Sequence, residues 1–496
     1  MSTTTSSTTS PTPPPASAAP PGRDRAARGW VPQLLLRLRF YAGLLVGPFV
    51  LVAALTGAVY ALTPSIERVV YAEQLSTDGT GVHRPLSEQV ATAQAYTGGE
   101  RVAAVRPAPD AGSTTRVMFD APGLGESESR TIFVDPYTNV VRGDLTVYGT
   151  SGALPVRTWV DQLHRGLHLG EPGRLYSELA ASWLWVVALA GLGLWLRRLR
   201  RTRRLREMLL PPRGRAGYRR TRDRHAAVGA WVLVGALGLS ATGITWSQLA
   251  GERVTDLRAQ LGWSAPALDT ELSGGTAAAG AHHAGHHGDG GSGEAPRVAP
   301  VSFDAVLGAA RQAGIDAGQV EVSAPAAEGS AWVVREIRAA YPTEVDTVAV
   351  DGDTLEVTDR VTFAEHPFVA KLARWGIDLH IGALFGLANQ VILFVLACGI
   401  AASVVWGYAM WWRRGTTRPG RVGGRAPARG ALARAPWWGL AGIAAVAVVV
   451  GLALPLVGIS LLVFVLVDAG RGCSPGDERS ARPQAEPLPP SHGAVR

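Results

Sequence analysis

Two of the eleven histidines in this 496-residue chain stand in a repeated setting. Trp159 precedes His164 by five residues and Trp375 precedes His380 by five, with Leu163, Gly166 and Gly170 answering to Leu379, Gly382 and Gly386. Each set leads into an apolar run that closes on arginines. Two neutral imidazoles facing one another at a helix-bundle axis supply the axial ligands of a six-coordinate b-type haem. The alternative is plain packing, in which His, Trp and Gly seat interfacial helices and the imidazoles bond backbone or lipid headgroups. His168 has no counterpart, because Leu384 holds the equivalent place. It ranks as an alternative ligand from the same helix face as His164.

Other candidates are weaker. His225 opens a later apolar run, and the register that aligns Thr56-Gly57 with Thr242-Gly243 and Gly43 with Gly229 sets Arg39 opposite it. A second haem there would lack a symmetric axial histidine; Arg39 could instead pair with a propionate, and Met410 could stand in as an axial ligand. His225 as an interfacial anchor among arginines is the competing reading. His282, His283, His286 and His287 lie in a Gly- and Ala-rich stretch, which reads either as a modest metal site or as a flexible insertion. Asp161 and Asp378 flank the repeated histidines out of register, and either could orient an imidazole or face water. Cys398 and Cys473 have neither metal-site spacing nor an obvious partner. No Gly-rich phosphate loop, nucleophile with a base, or HExxH pattern occurs, so hydrolase and kinase chemistry have no support.

The elements that must position these residues are membrane helices. The chain is 47% hydrophobic and 18% charged, too apolar for a soluble protein of this length. Its formal net charge of +8 is concentrated beside apolar runs, where it acts as a topology signal and argues against nucleic acid as a partner.

In chain order, 1–33 is polar and expected to be a disordered cytoplasmic N-terminus, and 34–63 is a first span. A polar α+β region fills 64–158, a His-bearing interfacial helix 159–178, and a second span 179–197. The loop 198–224 is Arg-rich, hence cytoplasmic, which places the preceding α+β region outside. A third span covers 225–248, and 249–374 repeats the polar elements with an insertion at 273–295. The second His-bearing segment and a fourth span occupy 375–412, followed by a loop at 413–436. A fifth apolar segment, 437–467, is interrupted by Pro455 and reads as one long or broken helix or as two re-entrant halves; the tail 468–496 is expected to be disordered. Both polar regions follow the order helix, strand, strand, hairpin, the hairpins being TIFVDPYTNVVRGD and TVAVDGDTLEVTDR. Because the two halves run in the same direction, a pseudo-two-fold axis along the membrane normal should relate them.

The segments FYAGLLVGPFVLVAALTGAVY, LHRGLHLGEPGRLYSELAASWLW, GLSATGITWS and LHIGALFGLANQ, with the hairpin VDPYTNVV, together resemble the PepSY-associated transmembrane family over about 34–414. The resemblance implies an α-helical bundle of four core helices in two parallel repeats, a C-terminal hydrophobic segment and two extracytoplasmic α+β PepSY modules. It implies haem b on His164 and His380, with His225 opening the third helix. Similar proteins often carry His where this chain has Arg39, which argues against a haem on that side. Some members are thought to be haem-bearing reductases of ferric siderophores, and PepSY modules elsewhere are linked to protease inhibition.

The expectation is therefore a multi-pass protein of the cytoplasmic membrane, N-terminus inside, in contact with the lipid bilayer. It would pass electrons from a quinol or a separate reductase to an outer ferric chelate. The competing expectation is a non-catalytic anchored module that binds peptide or a periplasmic or extracellular protein.

Overall fold

The computed structural model describes residues 29–210, 214, 216–272, 296–415, 427 and 435–470. The histidine cluster at 282–287 lies outside the described residues, as do the residues up to 28 and from 471 onward that the sequence assigns to polar termini.

The first apolar stretch is two helices, α1 (Trp30–Leu45) and α2 (Gly47–Val70), joined at Val46. Pro48 at the start of α2 explains the joint, since its ring fits a first turn and not a helix interior. Helix α3 (Ala72–Leu75) extends it, and α4 (Leu86–Thr97) then leads into strands β1 (Val102–Arg106), β2 (Thr115–Phe119), β3 (Glu128–Val134) and β4 (Val141–Tyr148). The first His-bearing helix is α5 (Pro155–Gly166), and α6 (Glu171–Thr202) follows after a turn. Beyond the short α7 (Leu205–Leu209) come α8 (Gly217–Trp231) and α9 (Leu233–Thr245), bent by 58° at Val232. Helix α10 (Leu249–Gln260), α11 (Val301–Gln312), β5 (Val320–Ser323), β6 (Trp332–Glu336), β7 (Thr347–Val350) and β8 (Val357–Val361) complete the second polar region. Then come α12 (Phe368–His380), α13 (Gly386–Gly415), α14 (Trp437–Ala453) and α15 (Pro455–Gly470).

Among the described residues three helices, α2, α6 and α13 up to Arg414, are long and apolar enough to cross a membrane, and the bent α8–α9 pair makes a fourth if taken as one span. Several expected boundaries move. The second spanning helix begins at Glu171, because Gly173 allows its first turn to lie on the Gly166 carbonyl; a Cβ there would meet that oxygen at 1.7 Å. The fourth begins at Gly386, after a turn in which Gly382 and Gly386 take left-handed φ of 79° and 56°. The Arg-rich loop is partly helical, and the third apolar stretch is continuous with α8 from Gly217. The fifth segment is a helical hairpin. Pro455 cannot continue α14, and the chain folds back so that a Cβ on Gly458 would stand 2.7 Å from the Gly451 Cα.

The two polar regions, read in the sequence as two α+β modules, share a single eight-stranded antiparallel sheet, ordered β4-β3-β2-β1-β5-β6-β7-β8. The join is β1 against β5, with Ala104 opposite Ser323 and Val105 opposite Val322. Across it Arg106 and Glu321 form a buried ion pair at 2.7 Å; breaking such a pair by removing one partner costs about 3–5 kcal/mol. One face of the whole sheet packs on α4 and α11 through Val90, Phe303, Phe119, Ile132, Val334 and Val348. The Asp304 carboxylate of α11 accepts the backbone N–H groups of Leu86 and Ser87, so the second region caps the first region's helix. On the opposite face Met118, Phe133, Val147 and Leu154 pack with Tyr71 and Leu75, tying the sheet to the C-terminal end of α2.

Within the bundle α2 packs most extensively on α13, and α9 on α6, so each half lends a helix to the other. The kinks obey the same symmetry: Val46 and Val232 are related by the offset of 186 residues that also relates Arg39 to His225.

Candidate functional site

His164 lies at the end of α5, against α2. Its Nδ1 is 2.9 Å from Thr56 Oγ1, and Thr56 donates its own hydroxyl hydrogen to the Val52 carbonyl at 2.9 Å, one turn back on α2. A hydroxyl has one hydrogen. Once it is given to the carbonyl, the oxygen accepts from the imidazole, so Nδ1 carries the ring proton and Nε2 the lone pair. Gly57 gives the ring room, since a Cβ there would be 3.0 Å from His164 Cε1. Tyr60, one turn further along α2, stacks parallel to the ring with centroids 6.1 Å apart.

The second half builds the same arrangement. His380 ends α12, its Nδ1 is 2.5 Å from Thr242 Oγ1, and Thr242 donates to the Gly238 carbonyl at 2.8 Å. The tautomer argument is the same and leaves Nε2 with its lone pair. Trp246 takes the place of Tyr60, edge-on to His380 at 5.7 Å. Two imidazoles, each held through Nδ1–H with Nε2 as the remaining ligand atom, are a donor set that fits a six-coordinate haem iron. Thr56 and Thr242 align in the sequence repeat, but their role was missed because a Thr-Gly pair in an apolar run also reads as helix packing.

The neighbouring carboxylates differ from each other. Asp378 is buried and accepts Arg374 Nε at 2.8 Å, one turn back on α12. Burial pushes its pKa up, opposed by Arg374. Asp161 on α5 is likewise pushed up by burial, with Arg165 and Arg157 opposing. Between α5 and α2 the buried Arg157 lies over the Tyr60 ring, and its guanidinium is 3.9 Å from Glu67.

His168 is not on the helix face of His164. Helix α5 stops at Gly166, and Leu167 and His168 both adopt left-handed φ, which swings the His168 ring outward onto the exposed Trp159 at 5.0 Å. The structure does not bring it to the His164–His380 pair.

At the other end of the bundle Arg39 and His225 meet. Arg39 Nη2 is 2.5 Å from His225 Nε2, and His225 Nδ1 donates to the Ser403 carbonyl at 2.9 Å. Both imidazole nitrogens are therefore engaged, and a haem ligand is not available there without displacing the guanidinium. Gly191 makes space for Arg39, since a Cβ would lie 3.3 Å from its Nη1. Met410 is two turns beyond Ser403 on α13, roughly 10 Å along the axis. Among the described residues no group of three or more His, Cys, Asp or Glu could hold a metal ion.

Residues 36–414 match the model of the PepSY-associated TM region, which covers well over half of the chain. The chain belongs to the PepSY-associated transmembrane family. No curated protein matches it. Membership accords with the apolar helices and makes this a membrane protein in contact with lipid.

Proposed function

We propose that this PepSY-associated protein is a membrane electron-transfer protein with one b-type haem ligated by His164 and His380. The observation that supports the reading most is the matched pair of threonine–histidine hydrogen bonds, each of which leaves an Nε2 lone pair as the ligand atom. Bound there, the haem would supply one-electron transfer. The residues around it set its surroundings: Thr56 and Thr242 fix the tautomers, and Tyr60 and Trp246 line the imidazoles on the side of the sheet. Arg39 closes the matching position at the opposite end.

The Arg-rich end is taken as cytoplasmic by the positive-inside rule, which puts the eight-stranded sheet outside. The acceptor would then be an outer ferric chelate such as a ferric siderophore. With no haem at the Arg39 end, the donor is a quinol in the bilayer or a separate reductase that reaches the outer half.

The test is reoxidation. Membranes holding the full chain are reduced anaerobically with a limiting amount of dithionite, and a ferric siderophore is added on the sheet side. The reading predicts decay of the reduced haem band with formation of ferrous chelate in equal amounts. A haem band that persists unchanged contradicts the acceptor assignment. If no haem band is present at all, the anchored binding module is the reading that survives.

A further inference from the structure

Arg157 lies in the first turn of α5, seven residues and so about two turns before His164, which puts both side chains on one face of the helix. That face meets α2. The Arg157 guanidinium lies over the Tyr60 ring, and the same ring stacks on the His164 imidazole. Arg157 is only 8% exposed.

A guanidinium carries five N–H donors and stays charged, so burial obliges it to find acceptors. Here it finds few. Nη2 donates to the Tyr60 hydroxyl at 3.5 Å, the long limit of such a bond, and Nε, closed off from solvent, has no partner. Glu67 supplies an opposite charge, but at 3.9 Å it stands beyond hydrogen-bond reach, its other oxygen being drawn to the Leu154 N–H at 2.6 Å. Helix packing does not account for this arrangement, since a neutral side chain would fill the same place and leave no buried donor unsatisfied.

We propose that Arg157 binds a propionate of the haem held by His164 and His380. The inference rests on the haem reading and extends it from the axial ligands to the carboxylate edge of the cofactor. A guanidinium takes a carboxylate through paired N–H groups, and the unpartnered Nε with a neighbouring Nη offers such a pair. Arg157 is a positioning residue in this role, because it fixes the cofactor without ligating the iron. The anchor belongs to the first half alone. The register that pairs His164 with His380 sets Ala373 opposite Arg157, and the adjacent Arg374 is already engaged by Asp378 at 2.8 Å.

The test is titration of the full-length apoprotein in detergent with ferric haem b and, separately, with its dimethyl ester, whose propionates carry no charge, each followed by the Soret band. The wild type should bind haem b roughly tenfold more tightly than the diester. Arg157→Gln, made together with Glu67→Gln so that no carboxylate is left buried without its partner, should bind the two cofactors alike and show the same low-spin spectrum with each. A wild type that takes up both equally overturns the proposal and leaves the haem reading standing, as does a double variant that keeps the full preference. A wild type that develops no Soret band with either cofactor overturns the haem reading and the proposal with it. The wild-type comparison needs no variant to fold.

Discussion

Arg39 and His225, related by the internal repeat and separated by 186 residues, touch: the guanidinium lies 2.5 Å from Nε2 of the imidazole. Two symmetry-related residues in contact mark the pseudo-two-fold axis at the Arg-rich end. The contact occupies Nε2 of His225, whose other nitrogen donates to Ser403. His225→Ala is therefore expected to leave the haem content at one per chain and the spectrum unchanged. It should lower stability by about 1–3 kcal/mol, since Arg39 loses its acceptor inside the bundle. Haem stoichiometry and thermal unfolding of the variant check both parts, and loss of half the haem would contradict the assignment.

The threonine hydroxyls are expected to matter through the imidazoles they hold. Thr56→Val and Thr242→Val keep shape but remove the acceptor for Nδ1–H, so haem affinity should fall roughly 10- to 100-fold. Thr56→Ser and Thr242→Ser should restore it. Haem titration of the apoprotein measures this directly, and wild-type affinity in both valine variants would mean that the hydrogen bonds do not orient the ligands.

The hairpin turns of the two sheet halves each begin with an aspartate that accepts the next backbone N–H groups, Asp135 in the first and Asp351 in the second. Burial pushes the Asp135 carboxyl up, but hydrogen bonds from Thr77, the Tyr137 and Thr138 N–H groups and Arg142 outweigh it and hold its pKa below the usual range. A carboxyl lowered in the folded state stabilises it fully above the unfolded pKa of about 3.9, and that contribution is lost as pH falls through the lower folded value. Asp135→Asn should thus flatten the stability profile below about pH 4. Acid unfolding of the two proteins followed by circular dichroism would show it, and superimposable profiles would count against it.

At matching places after those aspartates, Asn139 and Leu355 both adopt left-handed φ, 59° and 60°. Asparagine tolerates this conformation and leucine does not. Leu355→Asn is expected to stabilise the protein by about 0.5–1 kcal/mol, read as a rise in the denaturation midpoint. A fall would show that the partly exposed leucine side chain contributes more than its backbone strain removes.

The paired settings of His164 and His380 were legible because one spacing is written twice, and the two hairpins because Asp and turn residues repeat within alternating apolar runs. The β1–β5 join was not legible: pairing between Val105 and Val322 leaves no local pattern, so the sequence gives no sign that the two modules share one sheet. His168 misled because its distance from His164 suits one helix face, whereas the chain leaves the helix at Leu167. The break at Pro48 has a residue to announce it, but its counterpart at Val232 has none. The contact of Arg39 with His225 needed both the repeat and the fold, since alignment shows equivalence and only packing shows touch.

The most direct test of the central claim is the visible spectrum of the purified chain from haem-replete cells, oxidised and then dithionite-reduced, beside His164→Ala and His380→Ala. The account predicts Soret and α bands of a low-spin b-type haem in the wild type and their loss in each variant. Absence of the bands in the wild type, or their full retention in both variants, would contradict it.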